Sequence, residues 1–301
     1  KVIINMMIRD ISLMGLVKIT GAIIALILSA LMSRLLTPSE LGSFVATTAN
    51  IALIMRIGSI GLGQSSQYYG AQEIKNSISY KRPLFISVLF ISLLILLSLI
   101  LFNHNIVQIM MFNDSIAREL FNILFLAIPL SFIHFSGSLY ILGKREIGWY
   151  FLVSILPTSL LIIVLAWGFN ENKGMQLVTS AYFFHYVVAF ILGLIAFLKR
   201  SKYPPANLLQ SVKNIYNYGF KSYFVSTSAF AVSRLGLVMG LWFTNSFEVG
   251  IYAIGRIFSN ALNMSYGFVG PLIFSYVGSM QDKNKSQKFI GLVFRASFFI
   301  F

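Results

Sequence analysis

The sequence predicts an all-α integral membrane fold, and three observations carry that prediction. Of 301 residues, 57% are hydrophobic and only 11% charged, against about 25% charged in an ordinary soluble domain; mean hydropathy is +0.80. Apolar runs recur along the whole chain, each near the ~20 residues a helix needs to cross a bilayer. A β-barrel would instead show alternating segments of about 10 residues. Lys and Arg, finally, collect in alternate breaks between the runs.

The first run, 12–34, is too long for the apolar stretch of a secretory signal and is followed by no small-residue cleavage site, so it reads as a retained helix. Seven more runs follow at 43–67, 84–102, 119–141, 148–168, 177–198, 217–242 and 249–276, and a ninth opens at 289. Fourteen Lys and Arg, among them Lys75, Lys81, Lys144, Lys199 and Lys202, fall on one side of this alternation, and only Arg34, Arg118 and Lys173 fall on the other. The richer side is expected to be cytoplasmic, which places the N-terminus there and makes the protein multi-pass. The same sorting turns the net charge of +14 into a topology signal and removes nucleic acid as a partner. The connections are too short to hold an extramembrane domain.

Between spans six and seven the stretch 199–213 carries Pro204-Pro205, which breaks any helix. We expect a first six-helix lobe over 1–200, a cytoplasmic linker over 201–215 and a partial second lobe over 216–301. Six is even, so both lobes start on the cytoplasmic side, as parallel repeats about an axis along the membrane normal do in two-lobe transporters. The turns Leu36-Thr37-Pro38-Ser39-Glu40-Leu41-Gly42 and Phe243-Thr244-Asn245-Ser246-Phe247-Glu248-Val249-Gly250 hold Thr, Ser, Glu and Gly in the same order after spans one and seven. The chain stops inside an apolar run, where a helix would leave carbonyls unpaired at mid-bilayer. The expectation is a fragment with eight spans and part of a ninth.

Five cations, Lys18, Arg56, Lys221, Arg234 and Arg256, lie inside the spans, while all nine Asp and Glu fall in or beside breaks. An intramembrane charge costs roughly 2.5–3.5 kcal/mol on insertion scales. Keeping several of one sign with no opposite sign nearby in sequence points to an anionic ligand in a cationic cavity. Arg56 is deepest and shares a face with Ala49, Ala52, Ser59, Gly63 and Gln67; such a face either lines a cavity or packs closely on another helix. Arg256 aligns with Ser259, Asn260, Asn263 and Gly267, a polar stripe that must face protein or water. Arg234 can reach either a cavity or the outer headgroups, and Lys18 either a packed site or, by snorkelling, the cytoplasmic surface. Lys221 reads as a snorkelling residue. His134, like His185, reads as a satisfied helix–helix hydrogen bond before a proton relay. Pro129, Pro157 and Pro271 imply bent or broken helices.

Other chemistries lack their residues. Cysteine is absent, which removes disulfides, thiolate metal sites and Cys nucleophiles. The sequence holds no paired carboxylates, no His cluster at metal spacing, no GxSxG and no Walker A. Gly58, Gly61 and Gly63 follow no strand, so no phosphate loop forms there. We expect no catalytic residue, no metal and no cofactor; any transport is driven by a gradient, a potential or mass action.

The turn Ser33-Arg34-Leu35-Leu36-Thr37-Pro38-Ser39-Glu40-Leu41-Gly42 resembles the first outer loop of Wzx-type polysaccharide-biosynthesis flippases, of the multidrug/oligosaccharidyl-lipid/polysaccharide exporter superfamily. Their pattern is similar to R-x-L-x-P-x-E-x-G, and Arg34, Leu36, Pro38, Glu40 and Gly42 match it. Gly250-Ile251-Tyr252-Ala253-Ile254-Gly255-Arg256-Ile257 also looks like the start of span eight in that family. The resemblance implies a twelve-helix, two-lobe fold that moves an undecaprenyl-diphosphate-linked oligosaccharide across the bacterial cytoplasmic membrane. It further implies membrane lipid, a polysaccharide polymerase and chain-length proteins as partners. Arg56, Arg256, Arg234 and Lys18 are the expected substrate ligands, with Lys221, Asn260, Asn263 and His134 behind them. Three rival readings stand beside it. One is an ion-coupled drug or cation exporter, which would want an intramembrane carboxylate. Another is a membrane glycosyltransferase or ligase, which would want acids at a water interface. The third is a non-transporting scaffold.

Overall fold

Thr37 and Glu40 write the first turn. The Thr37 hydroxyl accepts from the Glu40 amide at 3.3 Å and the Glu40 carboxylate accepts from the Thr37 amide at 2.8 Å, a capping box with Pro38 at the first helical position. It joins α1 (Val2–Leu35) to α2 (Pro38–Gly58). The computed structural model describes residues 2–111, 114–171, 174–264, 275–278, 287 and 291, and among these it is helical nearly throughout, with no strand.

The second predicted span, 43–67, is not one helix. It ends as α2 at Gly58, turns through Ile60 and Gly61 at φ 46° and 75°, and continues as α3 (Leu62–Asn76). Positive φ at a branched residue is costly, and packing holds it there: a Cβ on Gly61 would overlap the Gly219 carbonyl of α9.

Next come α4 (Lys81–Met111), α5 (Ser115–Leu124) and α6 (Ala127–Gly143). The last two are bent by 58°, so the fourth predicted span is also broken. Asp114 caps α5 by accepting from the Ala117 amide at 2.8 Å. Then follow α7 (Ile147–Trp167), with Pro157 inside it, a 3-10 turn, α8 (Gly174–Leu198), α9 (Leu208–Val238), α10 (Gly240–Phe243) and α11 (Ser246–Met264). The expected linker 201–215 is shorter than the sequence indicates, because Asn207 caps α9 on the Gln210 amide at 3.2 Å.

Segments of α1, α2, α4, α7 and α8 are each long and apolar enough to cross a membrane, and the bent α5–α6 pair makes a sixth. Helix α9, at the predicted seventh span, and α11, the described part of the predicted eighth, are long enough but too polar to meet that standard. Both pack on α2, α9 also on α3 and α4, and α11 also on α1.

Helix α6 is the hub of the first eight, packed on α8, α3, α4 and α7, with Ile128 and Phe132 fully buried. Small residues set the spacing. A Cβ on Gly137 would lie 2.6 Å from the Gly193 carbonyl oxygen, and one on Gly70 2.5 Å from that of Tyr140. At one end of the bundle the loops 77–80 and 199–207 are tied together, Ser79 N to Pro204 O at 2.7 Å and Ala206 N to Ser79 O at 2.9 Å. We call this the basic end.

The two turns that match in sequence meet in space. A Cβ on Gly42 would overlap the Ser246 carbonyl, and one on Gly250 the Pro38 carbonyl. Pro38 and Ser246 stand four residues before Gly42 and Gly250, so the contact is reciprocal, as across a twofold axis. Asn245 caps α11 on the Glu248 amide at 3.0 Å, in the place of the Thr37 cap on Glu40. The seam between α2 and α11 is thus an approximately symmetric, glycine-lined contact far from the basic end.

Candidate functional site

Arg56 lies in the last turn of α2, just before the break, about 27 Å along the helix from Pro38. Its guanidinium carbon is 5.3 Å from the ring centre of Phe135 on α6 and 5.8 Å from that of Phe230 on α9. The Phe135 ring is seated over Gly63, where any Cβ would overlap it. Arg56 Nε is buried and has no hydrogen-bond partner, and among the described residues no carboxylate pairs with this side chain. Two aromatic faces stabilise the charge by about 0.5–1 kcal/mol each, more where water is excluded. They leave its in-plane donors open. A planar fork of N–H groups between two rings matches the oxygens of a phosphate or carboxylate.

The face predicted around Arg56 is divided by the break, yet Ala49, Ser59, Gly63 and Gln67 stay buried and Ala52 half-buried. Ser59 donates to the Arg56 carbonyl at 2.8 Å, and Gln67, 7% exposed, donates to Ser275 at 3.1 Å. On α9, Thr227 shares a face with Phe230 one turn away, and its buried hydroxyl has no partner.

Arg234 and Arg256 come together with each other rather than with Arg56. Arg256 donates to the Ser233 carbonyl of α9, stands 5.9 Å over the Tyr252 ring and is close enough to Arg234 for the two charges to repel. The register that pairs Gly42 with Gly250 pairs Arg56 with Met264 and Arg256 with Thr48. The two arginines therefore occupy corresponding spans at depths about two turns, ~12 Å, apart. Lys18 is half-buried on α1, one turn from the buried Met14, which packs on Leu142 and Ile147; it has no charged partner among the described residues. Lys221 is exposed on α9. His134 shares a hydrogen bond with the Val153 carbonyl at 3.1 Å, joining α6 to α7. The side chains of Asn260 and Asn263, and Pro271, lie outside the described residues.

Sequence reasoning missed two buried acids. Glu73 on α3 is 0% exposed. It accepts from Tyr140 at 2.5 Å, Ser201 at 2.9 Å and Ser79 at 3.5 Å, with Lys144 at 3.7 Å. Asp10 on α1 is 3% exposed and takes Arg145 at 3.2 Å and the Tyr276 hydroxyl at 2.7 Å. Arg145, at φ 60°, also lies 3.8 Å over the Tyr276 ring. The signal for Glu73 was the run of small residues Gly63, Ser66, Gly70 and Ala71, which extends the buried face past the glycines read as a span end.

No protein-family model and no curated protein sequence matches the chain. Solved structures do resemble it. One is the MATE multidrug transporter DinF-BH, at 15% identity and a TM-score of 0.67, covering 91% of this chain and 66% of that one. A second, described as protein A, has 13% identity and a TM-score of 0.69, covering 91% and 65%. The chain thus spans just under two thirds of the length of each. At these identities the likeness is one of fold, and the protein has the all-helical membrane-transporter fold of that MATE structure over nearly its whole described length.

Proposed function

We propose that the protein flips an undecaprenyl-diphosphate-linked oligosaccharide across the bacterial cytoplasmic membrane by alternating access, with Arg56 as the principal ligand of the diphosphate. One observation carries this reading: Arg56 is half-buried on α2 against α6 and α9, flanked by two rings, with a buried, unpaired N–H. A diphosphate offers acceptor oxygens to that fork, and its charge offsets the cost of a lone cation in the bilayer. The transporter fold supports the mode of action. In this reading the basic end is cytoplasmic, the lipid tail stays in the membrane, and a polysaccharide polymerase and chain-length proteins act downstream.

Multidrug export is a second reading, favoured by the fold of DinF-BH and by the Phe135 and Phe230 faces, on which a flat organic molecule stacks. An uncompensated Arg56 between those faces disfavours organic cations. The two buried acids, Asp10 and Glu73, already hold cations at the basic end, which weighs against either as an empty ion-coupling carboxylate.

The full-length gene carrying Arg56→Ala is introduced into a flippase-deficient bacterial strain. The flippase reading expects membrane insertion without restored surface polysaccharide. Full complementation overturns it, and extrusion of a cationic dye by the unaltered protein favours the exporter.

A further inference from the structure

The basic end holds a second concentration of charge that the Arg56 site does not use. The turn after α6 and the ends of α4, α7 and α8 enclose a cavity of about 500 Å3. Its wall carries Lys81, Lys144, Lys199, Arg200 and Lys202, and one acid, Glu146. Lys144 lies 3.1 Å from Glu146 and 3.7 Å from Glu73, and Lys199 shares Glu146 at 3.9 Å. Among the described residues these two carboxylates are the ones that pair with cations of the wall. Lys81, Arg200 and Lys202 have no carboxylate within ion-pair distance among the described residues, and Lys81 is half-buried, with repulsion from Lys144 stronger than the attraction of either Glu73 or Glu146. The indole N–H of Trp149, on the same wall, is buried without an acceptor.

A topological bias accounts for many cations at this end. It does not account for five of them converging on one concavity, with one half out of water beside another of the same sign. That arrangement raises the free energy of the empty site through desolvation and like-charge repulsion, and an anion relieves both. Ammonium groups on flexible stems, an arginine and an indole donor suit the oxygens of a phosphate, and the three aromatic side chains on the wall, Tyr140, Trp149 and Tyr203, suit an apolar group attached to it.

We propose that this cavity binds a phosphate group, carried by an anionic phospholipid of the adjoining leaflet or by a water-soluble phosphorylated compound. It stands apart from the Arg56 site: its wall includes Ile74, at the far end of α3 from the break.

The test follows the melting temperature of the full-length protein in a zwitterionic detergent as each of two probes is added: phosphatidylglycerol, with phosphatidylcholine as its control, and sodium pyrophosphate. A saturable rise with phosphatidylglycerol alone assigns the site to lipid, and one with pyrophosphate assigns it to a soluble ligand. In Lys81→Gln/Lys202→Gln the half-saturating concentration rises about tenfold or more. In Lys75→Gln/Lys213→Gln, which removes equal charge from the same end outside the cavity, it stays near the unaltered value. No saturable rise with either probe overturns the proposal, as does an equal loss in both double variants. Because neither pair touches Arg56, these outcomes are independent of the flippase reading.

Discussion

Arg56 and Glu73 sit on the two halves of one broken span, and their charges are satisfied in opposite ways. Glu73 collects Tyr140, Ser79, Ser201 and Lys144 around its two oxygens. Arg56 is offered two aromatic faces and keeps a buried N–H with no acceptor. Folding satisfies the acid and leaves the base wanting. A buried charge whose valences are filled by its own chain is a structural joint, since removing one partner strands the others. One whose valences stay open is held for something the chain does not supply. The same distinction separates Arg256, which reaches the Ser233 carbonyl, from Arg56, although the sequence presents both as arginines on polar helical faces.

Replacing Glu73 tests the filled side of this contrast most severely. Glu73→Ala leaves three hydroxyls without their acceptor and Lys144 with Glu146 alone, and the expected loss is about 3–5 kcal/mol, seen as early thermal unfolding in detergent. A variant as stable as the parent would break the contrast. At the symmetric seam, Gly42→Val drives a side chain into the Ser246 carbonyl, with an expected cost of about 1–3 kcal/mol. Gly250→Val should cost a similar amount, and the double variant less than the sum because both changes open one contact. Arg256→Met removes a charged donor from a backbone carbonyl at a partly exposed site, for about 1 kcal/mol, and lowers stability more than it lowers transport. A selective loss of transport would move Arg256 to the open class. Lys221→Gln, on an exposed stretch of α9, should change stability by no more than about 0.5 kcal/mol.

Much of this architecture was legible in the residues. Run lengths placed most of the helices, though not the breaks inside the second and fourth runs, because they reflect single-residue transfer energies that need no tertiary partner. The Thr37–Glu40 cap and its Asn245–Glu248 counterpart were legible as a repeated turn, and the structure adds that the two turns touch. What was not legible depended on distant groups. The break at Ile60 and Gly61 is set by Gly219 on another helix. Glu73 looks like a loop residue until Tyr140, 67 positions on, and Ser201, 128 positions on, close over it. Arg56 stood out by its depth, but its two rings come from helices with no sequence relation to α2. The basic cavity was hidden for the opposite reason: its lysines were fully explained as topology signals.

The most direct measurement of the central claim is lipid-linked oligosaccharide translocation in vesicles reconstituted with full-length protein carrying Arg56→Met or Arg56→Lys, with melting temperature followed in parallel. Methionine keeps the apolar stem against Phe135 and Phe230 and removes the fork. The account predicts a melting temperature close to the parent for both variants, translocation reduced about tenfold or more for methionine, and partial activity for lysine, which keeps the charge but not the bidentate geometry. Parental translocation by Arg56→Met, or a loss of stability as large as that of Glu73→Ala, would contradict it by showing that Arg56 is one more structural joint.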